Sequence, residues 1–206
     1  MSFLTPKFAD AFLYAAEAHA GQTRKKTGRP YIGHLMGVCA LALQYGGDED
    51  AAIAAMLHDV VEDCGGRPRL DDIRARFGER VARIVEGCTD SFEQDAQRKP
   101  AWRERKQQYV EHVGSAAADT RLVSAADKLY NVREILLDYR AHGEAVWELF
   151  QGRRDGTLWY YRALVTAFRD ASRHAASDSA PQLDALVDEL DRAVTELERL
   201  ASAASA

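Results

Sequence analysis

Residues 48–65, with the sequence DEDAAIAAMLHDVVEDCG, decide the fold of this chain. Asp48 stands where a helix N-cap is preferred, a largely apolar run follows it, and Gly65 comes where helices commonly end. With about 100° per residue, the polar side chains of the second half fall within an arc of about 140°. The segment therefore predicts an amphipathic helix whose polar face carries His58, Asp59, Glu62 and Asp63.

The rest of the 206 residues also has helical periodicity, without an internal repeat or an alternating strand pattern. The sequence therefore predicts an all-α protein, with one domain over residues 1–174. Residues 175–206 are predicted to form a linker and a C-terminal amphipathic helix that packs on its own domain. Residues 21–30, which contain two glycines, a proline and four basic side chains, predict a basic loop.

Composition limits the partners and the compartment. The net charge of −5 provides no general attraction to nucleic acid or to an anionic membrane surface. Three cysteines without a C-x-x-C pair favour a reducing cytoplasm over a disulfide framework. We find neither a signal-peptide pattern nor an apolar segment of about 18 residues that would span a bilayer. We expect a cytoplasmic protein, and the sequence leaves a homo-oligomer open.

The polar face of the 48–65 helix has no lysine or arginine, although clustered carboxylates repel one another unless a positive group binds between them. His34 and Asp127 lie on two other predicted helices. Taken alone, His34 is better explained as a histidine packed in the core, and Asp127 suits an ordinary solvent-facing helix. Together with His58 and Asp59, however, they would form an open site for Mn²⁺, Fe²⁺ or Zn²⁺. Such a metal would activate a water and polarise a phosphoryl oxygen, with Glu62 or Asp63 to orient the water or take its proton.

The basic loop supplies the positive charge that the acidic face lacks. Arg24, Lys25, Lys26 and Arg29 form a local cation cluster on a net-acidic protein, and guanidinium groups bind phosphates and stack on bases. An ordinary solvated loop explains this cluster equally well when the loop is considered alone.

Three motifs in this order resemble a known family: GQTRKKTGRPYIGH at 21–34, MLHDVVEDC at 56–64 and ADKLYNVRE at 126–134. They are similar to those of HD-domain hydrolases of the RelA/SpoT type, above all the stand-alone small alarmone hydrolases. The resemblance covers about residues 5–170 and implies a compact HD-domain helical bundle. It also implies removal of the 3′-pyrophosphate from (p)ppGpp, which gives GDP or GTP and pyrophosphate.

Residue by residue, the resemblance implies Mn²⁺ held by His34, His58, Asp59 and Asp127, and water activated by Glu62 and Asp63. It implies that the nucleotide and its phosphates are contacted by Arg24, Lys25, Lys106, Asn131 and Tyr160. The chain departs from the family at Leu35 and Cys64, where proline and threonine are common. It also has Lys26-Thr27 where an aspartate is frequent, which leaves the base specificity open.

Two other functions remain compatible with these residues. One is an HD phosphohydrolase that acts on an adenosine alarmone, NADPH or a nucleoside phosphate, with the same metal site and a different base pocket. The other is a catalytically silent module that binds a nucleotide.

Overall fold

The structure, a computed structural model, describes residues 4–24, 28–93, 95, 97–174 and 181–203. These residues form ten α-helices and one 3₁₀ helix, with no strand beyond an isolated bridge. The all-α prediction is confirmed. The helices are α1 (Pro6–Ala18), α2 (Ile32–Gln44), α3 (Glu49–Leu57), α4 (Val60–Cys64), α5 (Arg67–Phe77), α6 (Glu79–Cys88), α7 (Trp102–Ser115), α8 (Ala118–His142), α9 (Arg153–His174) and α10 (Pro181–Ala203), and the 3₁₀ helix is Gly143–Leu149.

The predicted 48–65 helix is two helices, because α3 ends before His58 and α4 begins after Asp59. The Asp48 carboxylate caps α3 by accepting a hydrogen bond from the Ala51 amide at 3.0 Å, as expected. The His58 ring forms a hydrogen bond with the Ala55 carbonyl. In a continuous α-helix, this carbonyl would accept from the backbone amide four residues later. The two residues with the greatest chemical interest therefore lie at a break in the helix.

Helix α3 is buried on every side after its first two residues. Residues 51–57 are all buried, because α1, α2, α6 and α8 pack around them. Four alanines in this run let the neighbouring helices approach closely. Helix α3 is therefore the central helix of the core, and His58 at its end is buried as well.

The basic loop is narrow at its base. Thr23 pairs with Pro30 in an antiparallel bridge, and the Arg24 amide donates to the Arg29 carbonyl at 2.8 Å. Gly28 has a φ of +66°, which glycine adopts without strain. The tip of the loop, residues 25–27, lies outside the described residues. The base holds Arg24 and Arg29 beside each other where the loop leaves the helical bundle.

Helix α10 packs against α8 and α9, and its buried leucines and valines belong to the same hydrophobic core. Arg162 on α9 pairs with Asp191 and Glu198 on α10. The predicted linker, residues 175–180, lies outside the described part of the chain, and the domain division at residue 174 stays a prediction. No described helix combines the length and the apolar character needed to cross a membrane.

Candidate metal centre and adjoining pocket

Two imidazoles and two carboxylates from three parts of the fold meet in one place. His34 comes from the first turn of α2, His58 and Asp59 come from the break between α3 and α4, and Asp127 comes from the middle of α8. The Nε2 atoms of His34 and His58 are 3.3 Å apart. Asp59 Oδ2 lies 3.4 and 3.1 Å from these two nitrogens, and Asp127 Oδ1 lies 3.3 and 3.6 Å from them.

These separations suit a divalent metal ion. Metal–ligand bonds of about 2.0–2.2 Å place neighbouring donor atoms about 3.0–3.6 Å apart. Donor atoms of His34, His58 and Asp59 form a group within 4.8 Å of one another. Asp127 joins this group through its contacts with the two imidazole nitrogens. The donor set of nitrogen and oxygen matches the Mn²⁺, Fe²⁺ or Zn²⁺ that the sequence suggested.

Surrounding groups hold these donors in position. The His58 Nδ1 proton bonds the Ala55 carbonyl at 2.8 Å, which leaves the Nε2 lone pair for a ligand. Asp127 Oδ1 accepts from the Asn131 amide at 2.5 Å, and its Oδ2 accepts from the Lys128 ammonium at 2.5 Å. This lysine was missed by the sequence analysis, although it directly follows Asp127 in the ADKLYN motif.

The carboxylate of Asp59 is held by a tyrosine. The Tyr31 hydroxyl donates to Asp59 Oδ2 at 2.6 Å. Sequence reasoning also missed Tyr31, whose only signal was its position three residues before His34 in the PYIGH motif. In contrast, the buried Nδ1 atom of His34 has no hydrogen-bond partner among the described residues.

The electrostatics of the cluster favour ionised carboxylates. Burial alone would lower the pKa of His58, but Asp59 and Asp127 raise it well above its usual value. Burial alone would raise the pKa of both carboxyls. The histidines hold the pKa of Asp59 well below its usual range, and Lys128 with the histidines does the same for Asp127. A metal cation bound at His58 Nε2 would replace the proton that the raised pKa of this imidazole favours.

Glu62 and Asp63 lie on α4, directly beyond the metal ligands. Glu62 Oε2 accepts from the Asp90 amide at 3.3 Å. Burial, together with the negative charges of Asp90 and Asp59, raises the pKa of Glu62. Asp63 Oδ2 accepts from the Gln22 side-chain amide at 2.9 Å. Both carboxylates line the cavity beside the metal cluster, and their catalytic role stays a prediction.

That cavity, the inner chamber, has a volume of about 180 Å³ and a strongly polar lining. It contains four of the predicted nucleotide-contacting residues, Arg24, Lys106, Asn131 and Tyr160, and the fifth, Lys25, lies outside the described residues. The Lys106 ammonium is 2.9 Å from Asp90 and 5.0 Å from the centre of the Tyr160 ring. The buried Tyr160 hydroxyl has no hydrogen-bond partner within the described structure.

A second cavity of about 290 Å³, the outer pocket, adjoins the chamber. The two share Arg24, Tyr31, Asp63 and Asn131 in their linings. The remaining lining of the outer pocket is mixed, with the apolar or aromatic side chains of Ile135, Phe150 and Tyr161 and the carboxylates Glu134 and Asp138. A molecule with a phosphorylated end and a flat ring would therefore find a polar chamber and a partly apolar pocket side by side.

Arg24 lies between the two cavities. Its Nη2 donates to Asn131 Oδ1 at 2.6 Å, and its guanidinium carbon is 5.6 Å from the centre of the Tyr31 ring. Arg29, the other arginine at the base of the loop, donates to Glu134 at 2.8 Å and lies 3.6 Å from Asp138. The loop is thus held against α8 by its two arginines.

Comparisons with known proteins identify the family to which this chain is similar. A model of the HD domain family matches residues 11–158. The Danio rerio protein named guanosine-3′,5′-bis(diphosphate) 3′-pyrophosphohydrolase MESH1 is 41% identical over 125 residues, 59% of this chain and 65% of that protein. The Drosophila melanogaster protein of the same name is 31% identical over 171 residues, 82% of this chain and 88% of that protein.

A solved structure described as a metazoan ortholog of SpoT that hydrolyzes ppGpp has a TM-score of 0.66 and 26% sequence identity. The match covers 92% of this chain and 98% of that one. These findings confirm the HD-domain bundle that the motifs predicted. The match to the Danio rerio protein spans just under two thirds of that relative's length.

Proposed function

Because this chain belongs to the HD domain family, we propose that it is a metal-dependent 3′-pyrophosphohydrolase of (p)ppGpp. The products are GDP or GTP and pyrophosphate. The observation that carries this proposal is the cluster of His34, His58, Asp59 and Asp127, three of which line a polar chamber that adjoins a partly apolar pocket. Relatives from fish and fly that bear the name of this activity support it.

We propose Mn²⁺ as the resident metal, with Zn²⁺ or Fe²⁺ as alternatives that the same nitrogen and oxygen donors would accept. When bound, the ion supplies Lewis-acid stabilisation of the phosphoryl oxygens and lowers the pKa of a coordinated water. His34, His58, Asp59 and Asp127 hold it, and the charge of the two carboxylates offsets the charge of the cation.

Glu62 is placed to act as the general base. The pKa of Glu62 is raised towards neutral pH, and a general base is most effective when its pKa lies near the working pH. It would take a proton from the water whose oxygen bonds to the phosphorus attached to the 3′ oxygen. The bond between that phosphorus and the 3′ oxygen breaks, the 3′ oxygen takes up a proton from solvent to become the 3′ hydroxyl of the nucleotide, and pyrophosphate leaves with the oxygen of the water. Asp63, held by Gln22, would orient the same water.

The cationic and phenolic groups of the chamber would bind the pyrophosphate. Burial alone would lower the pKa of Lys106, but Tyr160 and Asp90 raise it, so the ammonium stays charged. Burial raises the pKa of Tyr160, so its unpartnered hydroxyl stays a hydrogen-bond donor. Lys106, Tyr160 and Arg24 would thus stabilise the negative charge that develops on the departing group.

The outer pocket favours guanine over adenine. Guanine presents two neighbouring donors, N1–H and the N2 amine, on the edge where adenine presents one donor and one acceptor. Glu134 and Asp138 are acceptors only, and each ionised carboxylate has about four lone-pair sites, so they can accept from a base while paired with Arg29. Glu134 lies seven residues beyond Asp127 on α8, about 10 Å along the helix. This separation suits a purine nucleotide whose 3′ phosphorus lies at the metal cluster.

The test is a substrate panel with purified full-length protein and Mn²⁺. We expect ppGpp to give GDP and pyrophosphate in equal amounts, detected by anion-exchange chromatography. The adenosine analogue ppApp, NADPH and GTP should react much more slowly. Faster turnover of any of these three would show that the scaffold serves a different substrate. Binding of ppGpp with no turnover at any metal concentration would favour the silent nucleotide-binding module.

A further inference from the structure

Tyr31 lies at the junction of the loop, the metal cluster and both cavities. It is the residue that precedes α2, and its backbone amide donates to the Gln22 carbonyl at 3.0 Å. Its ring stacks on the His19 ring with centroids 4.9 Å apart and planes 18° apart, and it meets the His34 ring edge-on at 5.5 Å. Tyr31 therefore contacts the loop side and the metal side of the site through different parts of one side chain.

We propose that Tyr31 is a positioning residue for the metal centre, because its hydroxyl holds the Asp59 carboxylate in the orientation that binds the ion. The inference rests on the proposed metal site and does not require that the substrate be (p)ppGpp. The oxygen that accepts from Tyr31 is Oδ2, the same atom that lies 3.1 and 3.4 Å from the two histidine nitrogens. A carboxylate oxygen can accept one hydrogen bond and bind a metal with its other lone pair.

Asp59 needs such a partner more than the other carboxylate does. Its side chain is 23% exposed, whereas that of Asp127 is 8% exposed and is held by both Asn131 and Lys128. Among the described residues, the Tyr31 hydroxyl is the one side-chain hydrogen-bond donor to Asp59 outside the two histidines. Asp59 also lies in the break between two helices, where the backbone offers less restraint than a continuous helix.

The ring of Tyr31 has its own support, which makes a clean test possible. His19 is held by a 2.8 Å contact between its Nδ1 and the Gln22 side chain, and it stacks on Tyr31 whether or not the hydroxyl is present. Tyr31→Phe should therefore keep the ring and the loop in place and remove only the hydrogen bond to Asp59.

Two tyrosines provide matched controls. Tyr130 also meets the His34 ring edge-on, at 5.1 Å, but its hydroxyl donates to the Gly33 backbone carbonyl at 3.4 Å. Tyr14 donates to an aspartate, Asp72, at 2.8 Å, on another side of the protein. Tyr130→Phe tests the effect of altering a tyrosine beside His34, and Tyr14→Phe tests the general effect of losing a Tyr–Asp hydrogen bond.

The experiment measures Mn²⁺ affinity of chelator-treated, full-length protein by isothermal titration calorimetry, with free Mn²⁺ counted in parallel by electron paramagnetic resonance. We expect Tyr31→Phe to weaken Mn²⁺ binding by about 10- to 100-fold, the range seen when partners of metal ligands are removed. Both controls should stay within about threefold of the wild type, and near-ultraviolet circular dichroism should show that all three variants are folded.

Unchanged or tighter Mn²⁺ binding by Tyr31→Phe would overturn the proposal, as would an equal loss in the Tyr130→Phe control. Wild-type protein that binds no Mn²⁺ would overturn it together with the metal site. If affinity falls as expected while no variant hydrolyses ppGpp, the positioning role stands and the proposed substrate is wrong. If hydrolysis occurs, the lost activity of Tyr31→Phe should recover as the Mn²⁺ concentration is raised, because the catalytic groups are intact.

Discussion

The inner chamber and the outer pocket hold their charged groups in different ways. In the chamber, the carboxylates of Asp127 and Asp90 are 8% and 6% exposed and contact ammonium groups directly. In the outer pocket, Glu134 and Asp138 pair with Arg29, a cation whose side chain is 45% exposed. Buried charges are costly to leave unpaired and exposed ones are screened by water. Substitutions in the chamber should therefore have large effects, and those in the outer pocket small and selective ones.

The largest effect should come from Asp59→Ala. It removes a donor from the metal cluster, and with it the carboxylate nearest to the His58 imidazole, so both Mn²⁺ binding and turnover should be abolished. The helices should remain, because Asp59 lies at a break between helices and makes no cap hydrogen bond. Calorimetry, a turnover assay and far-ultraviolet circular dichroism would check this. Turnover of ppGpp at the wild-type rate would contradict the site assignment.

Glu62→Gln should have the next largest effect. The amide has nearly the same shape and still accepts from the Asp90 amide, but it cannot take a proton. We expect kcat for ppGpp to fall by about 10²- to 10⁴-fold. Mn²⁺ affinity should change little, which calorimetry would establish. Asp63→Asn is the matched comparison, and a larger loss of kcat there would assign the general base to Asp63 instead.

The effect of pH on Mn²⁺ affinity should be smaller than the effect of Glu62→Gln on kcat. It should also arise at the metal cluster rather than in the outer pocket. The raised pKa of His58 means that its imidazole keeps a proton to a higher pH than a free imidazole does, and the metal has to displace that proton. Mn²⁺ affinity should therefore fall as the pH is lowered below the pKa of His58, by about tenfold per pH unit for each proton released. Calorimetry in buffers of different ionisation enthalpy counts these protons. Zero protons released at pH 7 would show that His58 is neutral before the metal binds.

The smallest effect should come from Glu134→Gln in the outer pocket. The amide offers a donor as well as an acceptor, so it suits adenine better than the carboxylate does. We expect the ratio of kcat/KM for ppGpp to that for ppApp to fall by about tenfold, with Mn²⁺ affinity unchanged. Arg29→Gln, which removes the ion pair but keeps the carboxylate, is the control. A similar fall in the ratio for Arg29→Gln would show that the loop, rather than Glu134, selects the base.

Local sequence signals were reliable for the helices and for the identity of the chemical groups. The Asp48 cap, the described base of the basic loop and the helical spacing of α8 were all predicted and are present. The complete burial of residues 51–57 was not predicted, because a hydrophobic period does not tell how many neighbours will pack around a helix. The break at His58-Asp59 was missed, since no proline or glycine stands there and the helical period continues across it.

The sequence by itself determined an all-α fold and the order of three motifs that contain imidazole, carboxylate and basic groups. Those properties follow from local periodicity and from side-chain chemistry, which depend on near neighbours in the chain. Only the tertiary structure decided that Asp127 of α8 meets His34 and His58, and that Tyr31 and Lys128 hold the two carboxylates. Contacts between residues about 28 to 93 positions apart depend on how the helices pack around α3, and packing is a property of the whole core.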